Sequence, residues 1–348
     1  MSTPLSPHLV VRPDWLALRP EPALEPSLPI IDPHHHLWER DGIPYLLPEL
    51  MADLASGHNI VGTVFIECKA RYRSDGDPLL APLGETAFVA AAAAECAAGP
   101  QAATGALAGI VGHVDLRAGA RVAEVLQAHI DAGQGRFRGI RHSSAWHPDP
   151  AAKGSSTSPP PGLLLDPAFR AGFACLAPLG LSFDAWMLHT QLAELRDLAD
   201  AFPATKIVLD HVGGPLNIGP YVGRQAHVMA EWRASMRALA ALPNLHVKLG
   251  GFGMRLFNCD CYGQALPPSS EELATAWRPY IEWCVQVFGA GRCMFESNFP
   301  VDKGACSYGA LWNAYKRVTA GWSAEERTAL FSGTATRFYR LAPTPVGG

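Results

Sequence analysis

Histidines stand at the ends of short apolar runs in this chain of 348 residues. The run PIIDPHHH ends in His34, His35 and His36. Side chains alternate along a β-strand with a period of two, so His34 and His36 point to one face. Neutral imidazole binds zinc-like metals and exchanges protons near neutral pH. We therefore predict that His34 and His36 are metal ligands; a polar turn with surface histidines is the structural alternative.

Two more histidines close later apolar runs. His189 ends a run in WMLHTQL, and His211 follows Asp210 at the end of KIVLD. Either histidine alone is as typical of a structural residue as of a functional one. Together with His34 and His36 they indicate one site, because the loops at one end of a barrel open into one cavity.

Carboxylates lie on the same kind of run. Glu67 ends VFIE, and Glu296 shares a strand face with Asn298 in FESNF. These carboxylates can point into a barrel at the site or just below it, so Glu67 and Glu296 are candidate catalytic residues. A buried carboxylate requires a partner, so an internal ion pair, for example with Lys248, is the structural alternative.

Basic residues gather near the strand ends as well. Lys69 and Arg71 follow the second run, Arg141 lies in GIRH and Lys248 lies in HVKL. A guanidinium fork binds a carboxylate in two places, so Arg141 is the first candidate for holding an anionic substrate. Arg71 and Lys248 are the other candidates for substrate binding.

The elements that must position these residues alternate along the chain. Eight apolar runs read as strands: PIIDPHHH, VGTVFIEC, LAGIVGHVDL, FRGIRHSS, LSFDAWML, KIVLDHVG, LHVKLGGF and RCMFESNF. Amphipathic patterns between them predict helices at 86–98, 120–132, 190–201, 225–242, 270–288 and 308–319. This alternation predicts an α/β fold, a single (β/α)₈ TIM barrel. A doubly wound open sheet is the alternative, and the lack of a glycine-rich loop after the first strand weakens it.

The barrel is predicted to cover residues 28–342, with a proline-rich N-terminal arm at 1–27 on its outside and a tail at 343–348. Two loop insertions, 151–162 and 252–269, follow the fourth and seventh strands and could act as lids. The second loop contains Cys259 and Cys261, which we interpret as structural because no second cysteine pair stands near them.

Composition excludes several classes of partner. The chain has 28 Lys and Arg against 32 Asp and Glu, so no basic field attracts nucleic acid or an anionic membrane. Neither a long apolar span nor a secretory leader is evident. Eight cysteines, mostly in apolar segments, fit buried thiols in a reducing cytosol, so a cytoplasmic location is expected. The sequence leaves a homo-oligomer open.

Several of these motifs resemble one enzyme family. IIDPHHHLW, GTVFIE, RGIRH, VLDHVGGP, FESNFPVD and LFSGTATRFYRL are similar to the amidohydrolase-related (amidohydrolase 2) barrel hydrolases. That group includes 2-pyrone-4,6-dicarboxylate lactonase and sugar lactonases. The resemblance implies a TIM barrel with a divalent metal, zinc or manganese, at the first-strand pair His34 and His36. It also implies that His189, on the fifth strand, is a metal ligand and that His211, on the sixth, belongs to the site.

The chain departs from the family pattern on the eighth strand. The usual motif is Gly-Ser-Asp, and its aspartate ligates the metal and accepts a proton from water. Here the stretch reads Glu296-Ser297-Asn298. An amide can hydrogen-bond a substrate or offer its oxygen to a metal, but it cannot act as a carboxylate base. Asn298 therefore puts the metal requirement in question.

The expected function is hydrolysis of a small, carboxylate-bearing cyclic ester (lactone) in carbohydrate or aromatic catabolism. His211 or a metal would activate water, Asn298 or a metal would polarise the carbonyl, and Arg141 would hold the substrate anion. A weakened base favours an ester over an amide, since the ester is more electrophilic. The alternatives are a metal-dependent non-oxidative decarboxylase of an aromatic or unsaturated acid, and a non-catalytic barrel that binds an anion.

Overall fold

The structure, a computed structural model, describes residues 8–40, 43–99, 104–155, 157–258 and 263–342. Its strands are β1 (Pro29–His35), β2 (Trp38–Arg40), β3 (Ile43–Tyr45), β4 (Asn59–Ile66), β5 (Gly109–Gly112), β6 (Phe137–Arg141), β7 (Ser182–Ala185), β8 (Ile207–Leu209), β9 (Leu245–Leu249) and β10 (Cys293–Phe295). Strands β1 and β4–β10 form one eight-stranded parallel sheet in chain order, and β2–β3 is an antiparallel hairpin. A parallel bridge between His35 and Phe299 brings the end of β1 to the segment after β10. The predicted TIM barrel is confirmed, and each predicted run contains a barrel strand.

Helices follow the strands as the alternation requires. They are α1 (Pro13–Leu16), α2 (Leu47–Leu54), α3 (Leu83–Ala98), α4 (Val122–Ala132), α5 (Pro167–Phe173), α6 (Leu192–Ala201), α7 (Gln225–Ala240), α8 (Ser270–Phe288), α9 (Tyr308–Val318), α10 (Ala324–Thr328) and α11 (Thr334–Tyr339). One stretch, Pro78–Ala98, has the length and apolar composition of a membrane span, but half of its most apolar window is buried in the fold. Core helices of barrels share that composition, because one face packs on the sheet.

Strand alternation separates two layers of core. One set of side chains, including Ile30, Phe65 and Ile140, packs outward against the helices. The other set, including Val64 and Met294, packs with α11 in a separate cluster. Period-two alternation explains this division, since neighbouring residues of a strand face opposite sides.

The N-terminal arm packs along the barrel from the described residue His8 onward. Trp15 Nε1 donates to the Gln264 carbonyl (3.0 Å), and the Leu24 amide donates to Asn313 Oδ1 (2.8 Å). The arm therefore joins the loop before α8 to helix α9. Residues 1–7, the tail at 343–348 and the pair Cys259 and Cys261 lie outside the described residues.

Candidate active site

A cavity opens where the barrel strands end. Five residues predicted for the site line it: His36, Glu67, Arg141, His211 and Asn298. The remaining lining residues are His8, Trp38, Arg40, Cys68, Lys69, Ser143, Gly154, Ser155, Thr157, Trp186, Met254 and Val301. The first of these comes from the arm, and Gly154, Ser155 and Thr157 come from the predicted insertion 151–162. Both segments therefore form part of the cavity wall.

The central feature of the site is a hydrogen-bonded pair of His211 and Glu296. His211 Nδ1 lies 2.7 Å from Glu296 Oε1, and the His211 amide donates to the same oxygen (3.2 Å). A carboxylate accepts, so Nδ1 carries the proton and Nε2 is the free basic nitrogen on the other side of the ring. Burial acts to raise the pKa of Glu296, but His211 and His34 outweigh it and lower that pKa to about 2.

Local backbone geometry makes room for this pair. His211 and the following Val212 have φ of 54° and 48°, a left-handed conformation that side chains rarely adopt. Gly250 and Gly251 lie directly behind: a Cβ on Gly250 would overlap the Glu296 side chain, and one on Gly251 would lie 2.6 Å from the His211 ring. The Gly-Gly in KLGGF is thus explained by close approach of the backbone to the pair.

His34 and His36 lie together, as the strand period predicts. Their ring centroids are 5.0 Å apart, and the His34 ring is 4.5 Å from that of His211. His36 Nδ1 donates to the Ile66 carbonyl (2.8 Å), which leaves its Nε2 for the cavity. His34 is fully buried beneath the cavity, with Nδ1 2.8 Å from Glu296 Oε2. Burial lowers the pKa of both rings, so both are neutral at pH 7.

Lys248 does not reach the cavity wall. Its side chain is fully buried, and Nζ lies 2.6 Å from Asp184 Oδ2 and 3.1 Å from Asp210 Oδ1. Burial acts to lower the pKa of Lys248, but the charges of Asp184 and Asp210 outweigh it and raise that pKa. The structure thus puts the lysine in a buried ion cluster below the site, away from the substrate-facing surface.

Arg141 lines the cavity but already has anionic partners. Its Nε donates to Glu67 Oε1 (3.0 Å), and its Nη2 donates to the Glu67 carbonyl. Nη1 lies 3.3 Å from His34 Nε2 and 3.6 Å from Asp210 Oδ2. A guanidinium has five N–H donors, and three of them are used in these hydrogen bonds. Of the other two, one faces Asp210 beyond hydrogen-bond distance and one is left for a substrate oxygen. Glu67 therefore has the ion-pair partner that burial demands, and this partner is Arg141 and not Lys248.

Asn298 sits on the cavity wall next to a buried acid. Its Nδ2 donates to Asp302 Oδ1 (2.9 Å), while the other oxygen of Asp302 accepts from the Gly253 amide (2.9 Å). Burial raises the pKa of Asp302 to about 7. The backbone of Asn298 is left-handed, with φ of 55°, a conformation that asparagine tolerates better than most residues.

The structure does not bring His189 and Arg71 to this cavity. His189 packs its ring on Tyr221, with centroids 5.2 Å apart, and its Nδ1 accepts from the Leu216 amide (3.3 Å). Arg71 is half-exposed, faces Glu39 at 3.5 Å, and lines an outer depression. Both residues were predicted for the site because they follow a strand. That position does not determine the direction in which a loop side chain points.

Sequence reasoning missed four contributors: Trp38 and Arg40 of the β2–β3 hairpin, His8 of the arm, and the carboxylate of Asp210. Asp210 precedes His211 directly, so its place at the end of β8 was a usable signal. The hairpin and the arm carried none, because their position depends on tertiary packing.

The described residues contain one group suited to a metal ion. His34, Asp210 and His211 place ligand atoms within 4.8 Å of one another. Two imidazoles and a carboxylate are ordinary ligands for a zinc-like divalent ion. The cluster holds four buried carboxylates, those of Glu67, Asp184, Asp210 and Glu296, against the two cations Arg141 and Lys248, so added positive charge is favourable. The donor set therefore fits a divalent metal.

Comparison with known proteins gives a consistent result. The model of the amidohydrolase family matches residues 31–341. An uncharacterized protein of Sinorhizobium fredii, y4mH, is 34% identical over 337 residues, covering 90% of this chain and 99% of that protein. An L-fucono-1,5-lactonase of Burkholderia multivorans is 30% identical over 340 residues, covering 90% and 97%. A crystal structure of an amidohydrolase from Burkholderia multivorans with bound zinc matches with a TM-score of 0.69 at 26% identity, covering 90% and 99%.

The family model spans nearly the whole barrel, and the curated relatives align along most of their own length. Eight parallel strands with the polar cluster at their carboxyl ends agree with that match. The chain belongs to the amidohydrolase family of TIM-barrel hydrolases.

Proposed function

We propose that the protein hydrolyses a small lactone, with His211 as the general base. The observation that carries this proposal is the His211–Glu296 pair, which leaves a basic nitrogen at the cavity that His211 lines. The similarity to an L-fucono-1,5-lactonase supports a cyclic ester as the substrate class.

Proton transfer follows from the hydrogen bonds of the site. His211 Nε2 takes a proton from water, and Glu296 stabilises the imidazolium that forms. The attacked carbonyl oxygen gains negative charge, which the remaining N–H of Arg141 can meet at the cavity wall. The imidazolium then returns the proton to the ring oxygen as the ester bond breaks and the ring opens.

A divalent metal, zinc or manganese, fits the same cavity as an alternative to the histidine base. His34, Asp210 and His211 would hold it, so His211 Nε2 would then be a ligand and not a base, and the metal would supply Lewis acidity for the ester carbonyl and the attacking water. His36 stays available at the wall, with Nε2 positioned to accept a hydrogen bond from a substrate hydroxyl.

An ester is the substrate that this arrangement favours over an amide. Asn298 offers no carboxylate base and already donates to Asp302. A histidine base gives a nucleophile of moderate strength, and an ester has a better leaving group than an amide. The hydroxyls of Ser143, Ser155 and Thr157 on the wall suit a ring that carries hydroxyl groups.

The test is to incubate the protein with a panel of 1,4- and 1,5-lactones that includes L-fucono-1,5-lactone. A pH indicator measures the acid that hydrolysis releases. Both chelator-treated protein and protein supplied with zinc or manganese are assayed, and spontaneous hydrolysis is subtracted. His211→Asn is the matched inactive control, because asparagine tolerates the left-handed backbone at this position. We expect turnover that His211→Asn lowers by about 10²- to 10⁴-fold. Inactivity of every preparation toward every lactone contradicts the proposal.

A further inference from the structure

We propose that Arg40 and Lys69 form an anion subsite in the cavity, and that the substrate is a lactone with a free carboxylate bound there. The inference rests on the proposed lactonase function and deepens it by naming the substrate class. In this proposal the substrate carboxylate binds to Arg40 and Lys69 on another wall of the cavity and not to Arg141.

Arg40 is a half-buried cation without a carboxylate partner among the described residues. Its guanidinium carbon lies 3.8 Å from the centroid of the Trp38 ring, Nη2 donates to the Cys68 carbonyl (2.6 Å), and Nη1 lies 3.0 Å from His8 Nε2. Arginine stays protonated even when partly desolvated, and two of its five donors are used. Three N–H groups on a fixed, aromatic-backed fork remain for a planar anion.

Lys69 stands beside Arg40 on an exceptional piece of backbone. Its φ is 65°, and the amides on either side, those of Cys68 and Ala70, both donate to Glu85 Oε1 (3.0 and 2.7 Å). The buried Glu85 carboxyl thus holds the turn that presents Lys69. In the part of the chain that the structure describes, the Lys69 ammonium has neither an ion pair nor a hydrogen bond.

The other cations near the cavity are already neutralised. Arg141 faces Glu67 and Asp210, and Arg71 faces Glu39. An anion that enters the cavity therefore meets unpaired positive charge at Arg40 and Lys69. These two residues line both the inner cavity and the outer depression, so the anion would reach them from the mouth.

The wall built by the insertion supplies neutral hydrogen-bonding groups instead. Thr157 Oγ1 lies 2.8 Å from Ser143 Oγ and 3.0 Å from Ser155 Oγ, and Trp186 Nε1 donates to Ser155 Oγ (3.3 Å). A hydroxyl network on one wall and unpaired cations on the other fit a polyhydroxy lactone with a carboxylate at one end. The carbonyl would then lie toward His211.

The experiment compares lactones that differ only at one end. The 1,4-lactone of gluconate ends in a hydroxymethyl group, whereas the 1,4-lactone of glucarate ends in a carboxylate. We measure kcat/KM for both with the wild type, Arg40→Gln and Lys69→Gln. The expected result is a wild-type preference for the glucarate lactone, and at least a tenfold drop of the glucarate-to-gluconate ratio in each variant, mainly through KM.

Matched controls carry the same substitutions elsewhere. Arg136→Gln and Lys206→Gln alter basic residues that precede β6 and β8, at the opposite end of the barrel, and should leave the ratio within twofold. Melting temperatures of all variants check folding. A wild-type preference for the gluconate lactone, or an unchanged ratio in the Arg40 and Lys69 variants, overturns the subsite while the lactonase function stands.

Binding without turnover separates the two proposals. Isothermal titration with glucarate should show binding to the wild type that weakens at least tenfold in Arg40→Gln and falls with added salt. If no lactone is hydrolysed, the proposed function fails, and this titration still decides the subsite. Absence of glucarate binding to the wild type, or equal binding to wild type and Arg40→Gln, refutes the subsite.

Discussion

At the scale of single residues, Glu296 supplies a carboxylate close to the position where the family pattern has an aspartate. Its carboxylate reaches the Nδ1 atoms of both His211 (2.7 Å) and His34 (2.8 Å). The negative charge is thus retained on the same strand end, two residues before Asn298. In the proposed mechanism, this carboxylate acts on the base His211 through a hydrogen bond and is not the base itself.

Glu296→Gln tests this interpretation. The amide keeps the shape but loses the charge that stabilises the imidazolium, so kcat should fall on the order of 10²- to 10⁴-fold while KM changes by only a few-fold. Steady-state kinetics on the preferred lactone measure both, and circular dichroism checks the fold. A loss of less than tenfold would show that His211 works without the carboxylate.

Asn298→Asp tests the coupling between this position and metal binding. The new carboxylate would face Asp302 at the 2.9 Å that now separates Asn298 Nδ2 from Asp302 Oδ1. Two carboxyl groups so close repel when both are ionised, and a divalent cation relieves that repulsion. We expect zinc affinity to rise at least tenfold, and zinc to restore stability that the metal-free variant loses.

Competition with a chromophoric chelator gives the zinc affinity, and melting temperatures with chelator or zinc give the stability. Asn258→Asp, in the loop after β9, controls for added charge alone. Equal zinc affinity of wild type and Asn298→Asp would argue that position 298 does not contribute to the metal site.

At the scale of elements, the sequence predicts the strands well and the loops poorly. Apolar runs followed by helices predict all eight barrel strands, because burial on both faces requires a continuous apolar segment. The same rule places His34, His36 and Glu296 at one end of the barrel. The rule does not predict the direction of a side chain that follows the strand. For this reason it assigned His189 and Arg71 to a cavity that they do not line, and it did not find Arg40.

The N-terminal arm is the element whose role was least visible in the sequence. His8 lines the cavity and contacts Arg40. Leu9 packs closely on Gly304, because a Cβ added to Gly304 would lie 2.5 Å from the Cβ of Leu9. We expect Gly304→Ala to displace the arm and raise KM by roughly five- to thirtyfold, since substrate binding should weaken by about 1 to 2 kcal/mol.

Gly309→Ala is the matched control. A Cβ at Gly309 would approach only Ser56, at 4.0 Å, so the methyl group fits and KM should stay unchanged. Kinetics of both variants, and of a chain that begins at Arg12, measure the effect. If Gly304→Ala and the shortened chain bind substrate as the wild type does, the arm covers the cavity without contributing to binding.

At the scale of the whole molecule, buried titratable groups set how stability depends on pH. Burial lowers the pKa of six histidines from 6.5 to about 3 or 4: His35, His58, His129, His142, His189 and His246. His34 and His36 shift in the same direction. The folded chain keeps the six rings with a pKa of about 3 or 4 neutral at pH 5, whereas the unfolded chain protonates them.

Four buried carboxyl groups act in the opposite direction. Burial raises the pKa of Asp32 and Asp184 to about 6, that of Asp302 to about 7 and that of Glu85 to about 8. The folded chain therefore holds protons on them at pH 5 that the unfolded chain has released. The shifted histidines outnumber these carboxyl groups, so the unfolded chain binds more protons in total.

Stability should consequently fall as the pH drops from 6.5 to 5. A histidine with a depressed pKa contributes stability above 6.5 that is lost as the pH falls toward its folded-state value, at about 1.4 kcal/mol per pH unit for each net proton. Urea unfolding at pH 7, 6 and 5 measures the slope. His246→Gln removes one of these six rings and should reduce the slope by about one proton, and His227→Gln, at a half-exposed ring, is the comparison variant. A chain that becomes more stable on acidification would mean that the raised carboxyl groups dominate.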